Sequence, residues 1–365
     1  MVLGRSTGGI GTHVADLSAG LRGLGDDVEV VTDPLTAERF GLADAHPWWP
    51  GRGPGLGGSI RGLRSTRRLA ATADVVHAHG HQAALLAALV TAGLRVPLAV
   101  SQHNAVLGDR GSRRLVGRLA QRVVARRARL VTGASTDLVQ TAAALGAGHA
   151  ELAEVPSPRV PDLLATTPAD ATTRTARARA LLAERGIPPD RPLVLTISRI
   201  APQKSLETLV DAASRATQAA AWVVIGEGDA ALLASLRQQA DARGAPVHFV
   251  GRVSDPSEWL RAAEVFVLPS QWEARALVVQ EAMAAGVPVV ATDTGGLRDL
   301  VGDVGILVPV ADARAVAGAV DRLLSDPTLR QSLATAARMV ATSWDDGEAT
   351  ARRWHQWYAA LLPMT

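Results

Sequence analysis

The stretch EVFVLPSQWEARALVVQEAMAAGVPVVA, residues 264–291, sets two apolar runs around a small, apolar helical segment. Residues 264–268 and 287–291 read as strands, and 275–285 reads as a helix. Apolar strands that alternate with helices belong to parallel sheets covered on both faces. The same alternation runs through the chain. Strand-like runs fall at 1–4, 28–32, 74–78, 98–101, 130–132 and 152–155, then at 193–197, 221–225, 247–250 and 305–308. Helical segments at 11–24, 81–92, 112–128, 203–217, 228–243 and 311–325 separate them. The expected fold class is α/β, with two doubly wound, Rossmann-like domains.

The seam between them is expected in the Pro/Thr/Ala-rich stretch PSPRVPDLLATTPADATT, 156–173. This gives a first domain over 1–165, a second over 185–342 and a terminal helical segment over 343–365. That last segment carries Trp344, Trp354, Trp357 and Tyr358, and an aromatic helix at a chain end is expected to dock, here back on the first domain. In open parallel sheets, ligands bind beyond the carboxyl ends of the strands. The informative residues should therefore follow each strand, with the site expected in the cleft between the domains.

A length of 365 residues suits two domains, and an apolar content of 47% supplies their cores. No apolar run is long enough for a membrane span. The opening MVLGRSTGGIG has no apolar segment of signal-peptide length, so the cytoplasm is the expected compartment. The chain has no cysteine, which excludes disulfides, thiol nucleophiles and thiolate metal sites. Charge is uneven. Residues 1–160 hold 18 basic and 12 acidic residues, a net +6, and the remainder hold 20 and 23, a net −3. The first half is thus the one suited to an anionic partner.

Two glutamates, Glu273 and Glu281, stand eight positions apart in the opening stretch. Glu273 falls in the turn after a strand, and Glu281 falls inside the helix. With that helix starting near Arg275, the backbone N–H groups of residues 275–277 lie between them, free to hold an anion. A ligand with hydroxyls at each end and a diphosphate in the middle, a nucleotide-sugar, would fit. The plain alternative is a helix-start charge on the macrodipole and a core-edge glutamate. After strand 193–197 comes SRIAPQKSLETLV, which places Arg199 and Lys204 at the carboxyl edge near a helix start, a good seat for phosphate. Lys204 is the only lysine among 38 basic residues. The alternative for this pair is two solvated surface charges.

These blocks together resemble the retaining glycosyltransferases of family 4, which have the GT-B fold and an E-x7-E signature. The resemblance runs over nearly the whole chain: STGGIGTHVADLSAGL near the start, DVVHAHG at 74–80, SQHN at 101–104, SRIAPQKSLETLVDA, VVIGEGD at 223–229, VHFVGRVSD at 247–255, and VFVLPSQWE followed by EAMAAGVPVVATDTGGLRDLV. It implies that Arg199 and Lys204 hold the donor diphosphate, that Glu281 binds the ribose and that Glu273 contacts the sugar. Ala276 and Leu277, at the helix start, join the donor-binding set. It also implies that the loop TGGIG, 7–11, approaches the diphosphate through Gly8, Gly9 and Gly11, and that His103 points at the donor sugar. Read from the residues alone, the loop is equally a tight strand–helix turn, and a lone histidine after a strand is equally structural. The first domain becomes the acceptor side and the second the nucleotide-sugar side. One departure stands out. The family reads E-G/S-F-G after its first glutamate, and this chain reads Glu273-Ala274-Arg275-Ala276. Arg275 either reads an acidic sugar or anionic acceptor, or points to solvent.

Three further features bear on partners. His77, His79 and His81 alternate as H-x-H-x-H, but no carboxylate partner stands near and the strand is expected to end at about His79. No Asp-x-Asp motif is present either, so neither a metal nor another cofactor is expected. The segment RGSRRLVGRLAQRVVARRAR, 110–129, has eight arginines, with Leu115, Val116, Leu119, Val123 and Val124 as its apolar side. It suits an anionic membrane surface or, equally, a packed helix with a solvated basic face. Stacking aromatics are almost absent there, so no nucleic-acid partner is expected. Trp48 and Trp49, in a long loop over 40–60, either stack on a sugar or lipid or pack locally. The function expected is metal-independent, retaining transfer of a hexosyl or N-acetylhexosaminyl group from a nucleotide-diphosphate sugar to an unidentified, lipid or cell-envelope acceptor. The enzyme would be cytoplasmic or peripheral on the inner membrane face. The alternatives are a nucleotide-sugar epimerase on a related fold and a catalytically degenerate scaffold.

Overall fold

The computed structural model describes residues 1–6, 8–42, 44–50, 55–105 and 112–363. The chain forms two compact units, one of Met1–Pro156 with Asp345–Thr365 and one of Ser157–Trp344. Residues 157–165, grouped with the first domain on sequence, belong to the second unit. The helix Val160–Ala165 places Val160 and Leu163 in that unit's core. The seam is likewise ordered further on, where Asp170 caps the helix Ala171–Glu184 by accepting the Thr173 N–H at 2.7 Å.

The first unit is built on seven strands, β1 Val2–Leu3, β2 Val31–Thr32, β3 His46–Pro47, β4 Val76–His79, β5 Leu98–Gln102, β6 Leu130–Gly133 and β7 Ala150–Leu152. They are parallel and run in the order β3-β2-β1-β4-β5-β6-β7. The second unit has six parallel strands, β8 Leu193–Ile197, β9 Ala221–Ile225, β10 Val247–Gly251, β11 Val265–Leu268, β12 Val289–Thr292 and β13 Ile306–Val308. Their order is β10-β9-β8-β11-β12-β13.

Why these runs are apolar at nearly every position is plain in the second sheet. Leu193, Leu195, Val223, Phe266, Leu268 and Val289 face one buried core. The residues between them, Val194, Trp222, Val224, Val265, Val267 and Val290, face another. Period-two alternation here separates two cores rather than core from solvent, as covered parallel sheets require.

The expected strand at 152–155 is displaced to Ala150–Leu152, and the loop read over 40–60 contains β3 and the start of an 18-residue helix, Gly55–Thr72. Trp48 and Trp49 pack against the first unit's core. A Cβ at Gly62 would lie 2.0 Å from the Trp48 ring, so glycine there is a packing requirement.

The chain returns to the first unit through the helix Gly347–Leu361. This helix lies on the helix Gly9–Gly23, where Gly20 meets Ala351 so closely that a Cβ on Gly20 would be 2.7 Å from the alanine methyl. Trp354 is 1% exposed, and its ring centroid is 4.1 Å from that of His77. Tyr358 and His77 Nδ1 share a hydrogen bond of 2.7 Å. Trp344 is not part of this docking face; it belongs to the second unit. The substitution Trp354→Ala should cost about 3–5 kcal/mol, measured as a loss of unfolding free energy in urea. Trp357→Ala, at a half-buried position beside it, should cost clearly less.

Candidate active site

In the second sheet β8 and β11 lie side by side, with β9 and β10 continuing beyond β8 and β12 and β13 beyond β11. This is a switch point, and it leaves a crevice beyond the carboxyl ends of the central strands. The loop after β8 carries Arg199 and Lys204. Two glycines after β9 hold it close. A Cβ at Gly226, whose φ is +146°, would lie 1.8 Å from the Ser198 carbonyl oxygen, and one at Gly228 would lie 2.2 Å from that of Ile200. Arg199 is exposed and forms no ion pair among the described residues.

Lys204 ends the short 3-10 turn Pro202–Lys204. Ser205 behind it has φ +47°, in the left-handed region that non-glycine residues seldom occupy. The loop after β11 holds Glu273 directly against this turn. Glu273 Oε1 accepts hydrogen bonds from Lys204 Nζ and, at 2.7 Å, from Ser270 Oγ. The two charged side chains are only 13% and 11% exposed. Gln203, a residue the sequence reading passes over, fastens the two loops. Its Nε2 donates to the Trp272 carbonyl at 2.7 Å, and its own carbonyl accepts the Gln271 N–H at 2.8 Å. The Gly296 N–H donates to the Glu273 carbonyl at 2.9 Å. Gly295 packs beneath at φ +50°, where a Cβ would lie 2.2 Å from the same oxygen.

The following helix is Leu277–Ala284, so it starts two residues later than expected. Ala276 is its N-cap and offers no side-chain cap, which leaves the Leu277 and Val278 N–H groups without an intrahelical partner. The anion-ready donors are therefore those of Leu277 and Val278, where the sequence suggests residues 275–277. Arg275 is half-buried, with its guanidinium 5.3 Å from the Trp344 ring centroid, a cation–π contact rather than a solvated side chain.

Glu281 is 2% exposed. Its Oε1 accepts from Ser157 Oγ at 2.6 Å and from Arg159 Nη1 at 3.3 Å. Its Oε2 is equally buried and has no partner among the described residues. Burial pushes the carboxyl above its ordinary value, against the Ser157 and Arg159 hydrogen bonds that pull it down. Ser157 and Arg159 were missed because they sit in the stretch that reads as a linker. An arginine set among prolines was the available signal.

The remaining predicted residues lie in the first unit. Gly8 precedes the helix Gly9–Gly23, and a Cβ on it would meet nothing within 4 Å. Gly9 is exposed, whereas Gly11 is buried under Phe40, whose ring would be 2.1 Å from an added Cβ. Thr7, in the same loop, lies outside the described residues. His103 follows β5 and is buried, its Nε2 3.2 Å from His79 Nδ1. As expected, β4 ends at His79, so the three histidines do not share one strand. His77 and His79 share a face of β4, with ring centroids 4.0 Å apart, but His81 starts the next helix and its Nε2 lies 2.7 Å from the Asn104 carbonyl. His13, on the buried face of the helix Gly9–Gly23, joins the cluster instead.

On the basic helix Ser112–Arg127, Val124 is buried but Leu119 and Val123 are exposed beside Arg118, Arg122 and Arg126. Arg127 instead donates to the Thr91 carbonyl at 2.9 Å. Arg110 and the side chains of Arg113, Arg114, Leu115 and Val116 lie outside the described residues. Among the described residues no helix is long and apolar enough to cross a membrane.

Comparison with known proteins adds the following. The family described as Glycosyl transferases group 1 matches residues 179–340, and a Glycosyl transferase 4-like domain matches residues 8–158. A D-inositol 3-phosphate glycosyltransferase of Xylanimonas cellulosilytica is 31% identical, over 94% of this chain and 90% of its own. The alpha-D-kanosaminyltransferase of Streptomyces kanamyceticus is 33% identical, over 74% of each. Among solved structures, Anabaena Alr3699/HepE in complex with UDP-glucose superposes with a TM-score of 0.82 at 20% identity, covering 98% of this chain and 99% of that one.

The buried carboxyl of Glu281 has a consequence for stability. Its pKa is raised above 4.5, so above that pH the folded chain retains a proton that the unfolded chain has lost. Stability contributed by this group is therefore greatest at low pH and falls as pH rises through the folded pKa. Glu281→Gln should lose less unfolding free energy than the parent as pH rises above the ordinary carboxyl range, measured by urea titration at each pH.

Proposed function

The chain belongs to the group 1 glycosyl transferases, has the GT-B fold and is a glycosyltransferase, and we propose that it moves a hexosyl or N-acetylhexosaminyl group from a nucleotide-diphosphate sugar to an acceptor hydroxyl with retention at the anomeric carbon. One observation carries the donor reading. Glu281 keeps a buried, partnerless carboxylate oxygen in the same unit as two free helix N–H groups and the cations Arg199 and Lys204. A carboxylate with one oxygen held and the other buried without a partner is suited to accept from a vicinal diol such as ribose once the ligand is bound. Uncapped N–H groups and cations are suited to a diphosphate.

In the proposed reaction the bond from the anomeric carbon to the diphosphate oxygen breaks. A bond to the acceptor oxygen forms on the same face, as the resemblance implies, and the acceptor proton passes to the departing phosphate. Negative charge grows on that leaving oxygen in the transition state. Arg199, Lys204 and the N–H groups of Leu277 and Val278 are the groups suited to stabilise it. Lys204 has three donors and spends one on Glu273, so it can serve a phosphate without releasing that partner. These cations take the part a metal would play, and donor affinity should not depend on added magnesium or manganese.

The acceptor is a separate matter. The exposed stripe of Arg118, Leu119, Arg122, Val123 and Arg126 favours an anionic lipid surface, because it pairs guanidinium groups with apolar side chains on one helix face. A lipid or envelope acceptor fits such a surface. Pelleting with vesicles of anionic lipid should carry the protein down at low salt, and the double change Arg118→Glu with Arg122→Glu should leave it in the supernatant. Equal pelleting of both proteins would remove the membrane reading.

Arg199→Ala is the cleanest test of the donor site, since this exposed residue holds no part of the fold. It should weaken donor binding about 10–100-fold, the worth of a charged hydrogen bond, by calorimetry with a panel of nucleotide-sugars. Lys204→Ala strands Glu273 in a buried site and should lower stability as well. A scaffold protein would bind no donor at all, and an epimerase would convert the donor without an acceptor.

A further inference from the structure

We propose that Arg159 is a positioning residue for the donor site: it is the counter-charge that lets Glu281 meet the donor as a carboxylate. The inference rests on the donor reading above and adds to it a residue and a dependence on pH. Arg159 stands between Pro158 and Pro161, in a stretch that proline stiffens by fixing φ. Three contacts tie this stretch to the helix Leu277–Ala284. Ser157 Oγ donates to Glu281 Oε1 at 2.6 Å, the Ser157 N–H donates to Gln280 Oε1 at 3.3 Å, and Arg159 Nη1 donates to Glu281 Oε1 at 3.3 Å. The Arg159 N–H in turn donates to Ser157 Oγ at 3.4 Å, so that hydroxyl accepts from one side and turns its hydrogen to the carboxyl. On Glu281 both bonds fall on one oxygen, and the buried Oε2 has no partner among the described residues.

The two holders differ in what they do to the charge. A hydroxyl donates to a carboxylate and to the C=O of a neutral carboxyl alike, so Ser157 fixes direction and supplies no charge. The guanidinium is always charged and favours the ionised form. Asp255, the other charged group that acts on Glu281, pushes the carboxyl up, while its own charge is held by Ser257 Oγ at 2.6 Å and the Ser257 N–H at 3.0 Å. Of the elements packed on the helix Leu277–Ala284, β11 and β12 carry no ionisable side chain. The helix Val160–Ala165 carries Asp162, which is exposed. The helix Pro327–Ala341 carries Arg330, whose Nε is 3.1 Å from Glu264, and Arg338, whose guanidinium is taken up by the carbonyls of Leu163, Leu164, Thr166 and Ala284. Arg159 is thus the one cation within ion-pair distance of Glu281 among the described residues.

At 42% exposed, the Arg159 side chain is partly screened, so it offsets part of the burial cost and not all of it. Burial accordingly still holds the carboxyl above its ordinary value. That leaves a fraction of Glu281 neutral in the empty site at mildly acidic pH. A neutral carboxyl is a weaker acceptor for a diol than a carboxylate is. Hydroxyls that donate to Oε2 favour the ionised form, so binding should release a proton and donor affinity should rise with pH. Without the guanidinium the burial cost stands alone, and the rise should begin at higher pH.

The test is calorimetry on the full chain with UDP-glucose, GDP-glucose and ADP-glucose, whose diphosphates are esterified at both ends and do not titrate near neutral pH. Parent affinity should rise between about pH 5 and about pH 8. Arg159→Met keeps the apolar stem and removes the charge. It should bind about tenfold more weakly than the parent at about pH 5 and within about threefold of it at about pH 8. Arg159→Lys should restore the parent profile, and Glu281→Gln should show no such dependence. A uniform loss across pH in Arg159→Met, or a flat parent profile, overturns the proposal. A second measurement needs no donor: the carbon-13 resonance of the Glu281 carboxyl, followed against pH in the empty protein. Its midpoint should move upward in Arg159→Met, and an unmoved midpoint overturns the proposal. Failure of every probe to bind would remove the donor reading and leave this midpoint to decide whether Arg159 sets the charge. Urea unfolding shows whether each variant is folded.

Discussion

A carboxylate sealed inside a protein is costly unless every lone pair is answered, and Glu281 is answered on one oxygen only. The rest of the second unit's carboxyl edge is arranged around that imbalance. Ser157 and Arg159 hold Oε1 from outside the helix, so the side chain cannot turn to satisfy Oε2 elsewhere without losing both. The helix itself is small and apolar, LVVQEAMA, because it is packed on the sheet and its buried side chains have little room. An orphaned acceptor in so tight a setting amounts to stored binding energy. Hydroxyl donors that reach it meet an acceptor already fixed in place, which is the condition for preorganised recognition.

The Lys204–Glu273 pair works by the opposite logic. Both groups are mostly buried and each answers the other. Such a pair adds little net stability, because desolvation offsets the attraction, but removing either partner leaves a lone buried charge. Its value is positional. With Gln203 bridging the same two loops, the lysine is fixed at the strand ends rather than left on a flexible stem. This also explains how the turn tolerates Ala274-Arg275-Ala276 in place of the glycine-rich pattern. The Glu273 carbonyl is held by the Gly296 N–H over Gly295, the two alanines are buried, and the Arg275 guanidinium lies over Trp344. The conformational freedom that a glycine would give is supplied from the neighbouring loop.

Sheets were legible in the sequence wherever both faces are buried, because runs such as LVLTI and AWVVI carry at most one polar residue, Thr196, to blur the period. Reading failed where local propensity and tertiary packing disagree. Glycines at 55, 57, 58 and 62 argue against a helix, yet Gly55–Thr72 is one, and Gly62 is kept for the Trp48 ring. The strand His46–Pro47 contains a proline and survives only as an edge. In the site, the residues at strand ends were foreseeable, since topology alone puts them there. Ser157, Arg159 and His13 were not, because each reaches its partners through a long sequence separation that no local pattern encodes.

The two units also divide the electrostatic labour. The second edge is built from full charges, with cations and carboxylates set at fixed separations in partly screened surroundings. The first edge is built from imidazoles whose burial disfavours the protonated form. A charged edge attracts an ionic ligand and stabilises the charge that develops on it. A neutral edge of buried imidazoles instead offers hydrogen-bond donors and acceptors without a net field. The same parallel-sheet architecture therefore carries one charged edge and one neutral edge. What separates them is the side chains at the strand ends: β4 and β5 lead into histidines, β8 and β11 into a lysine and a glutamate.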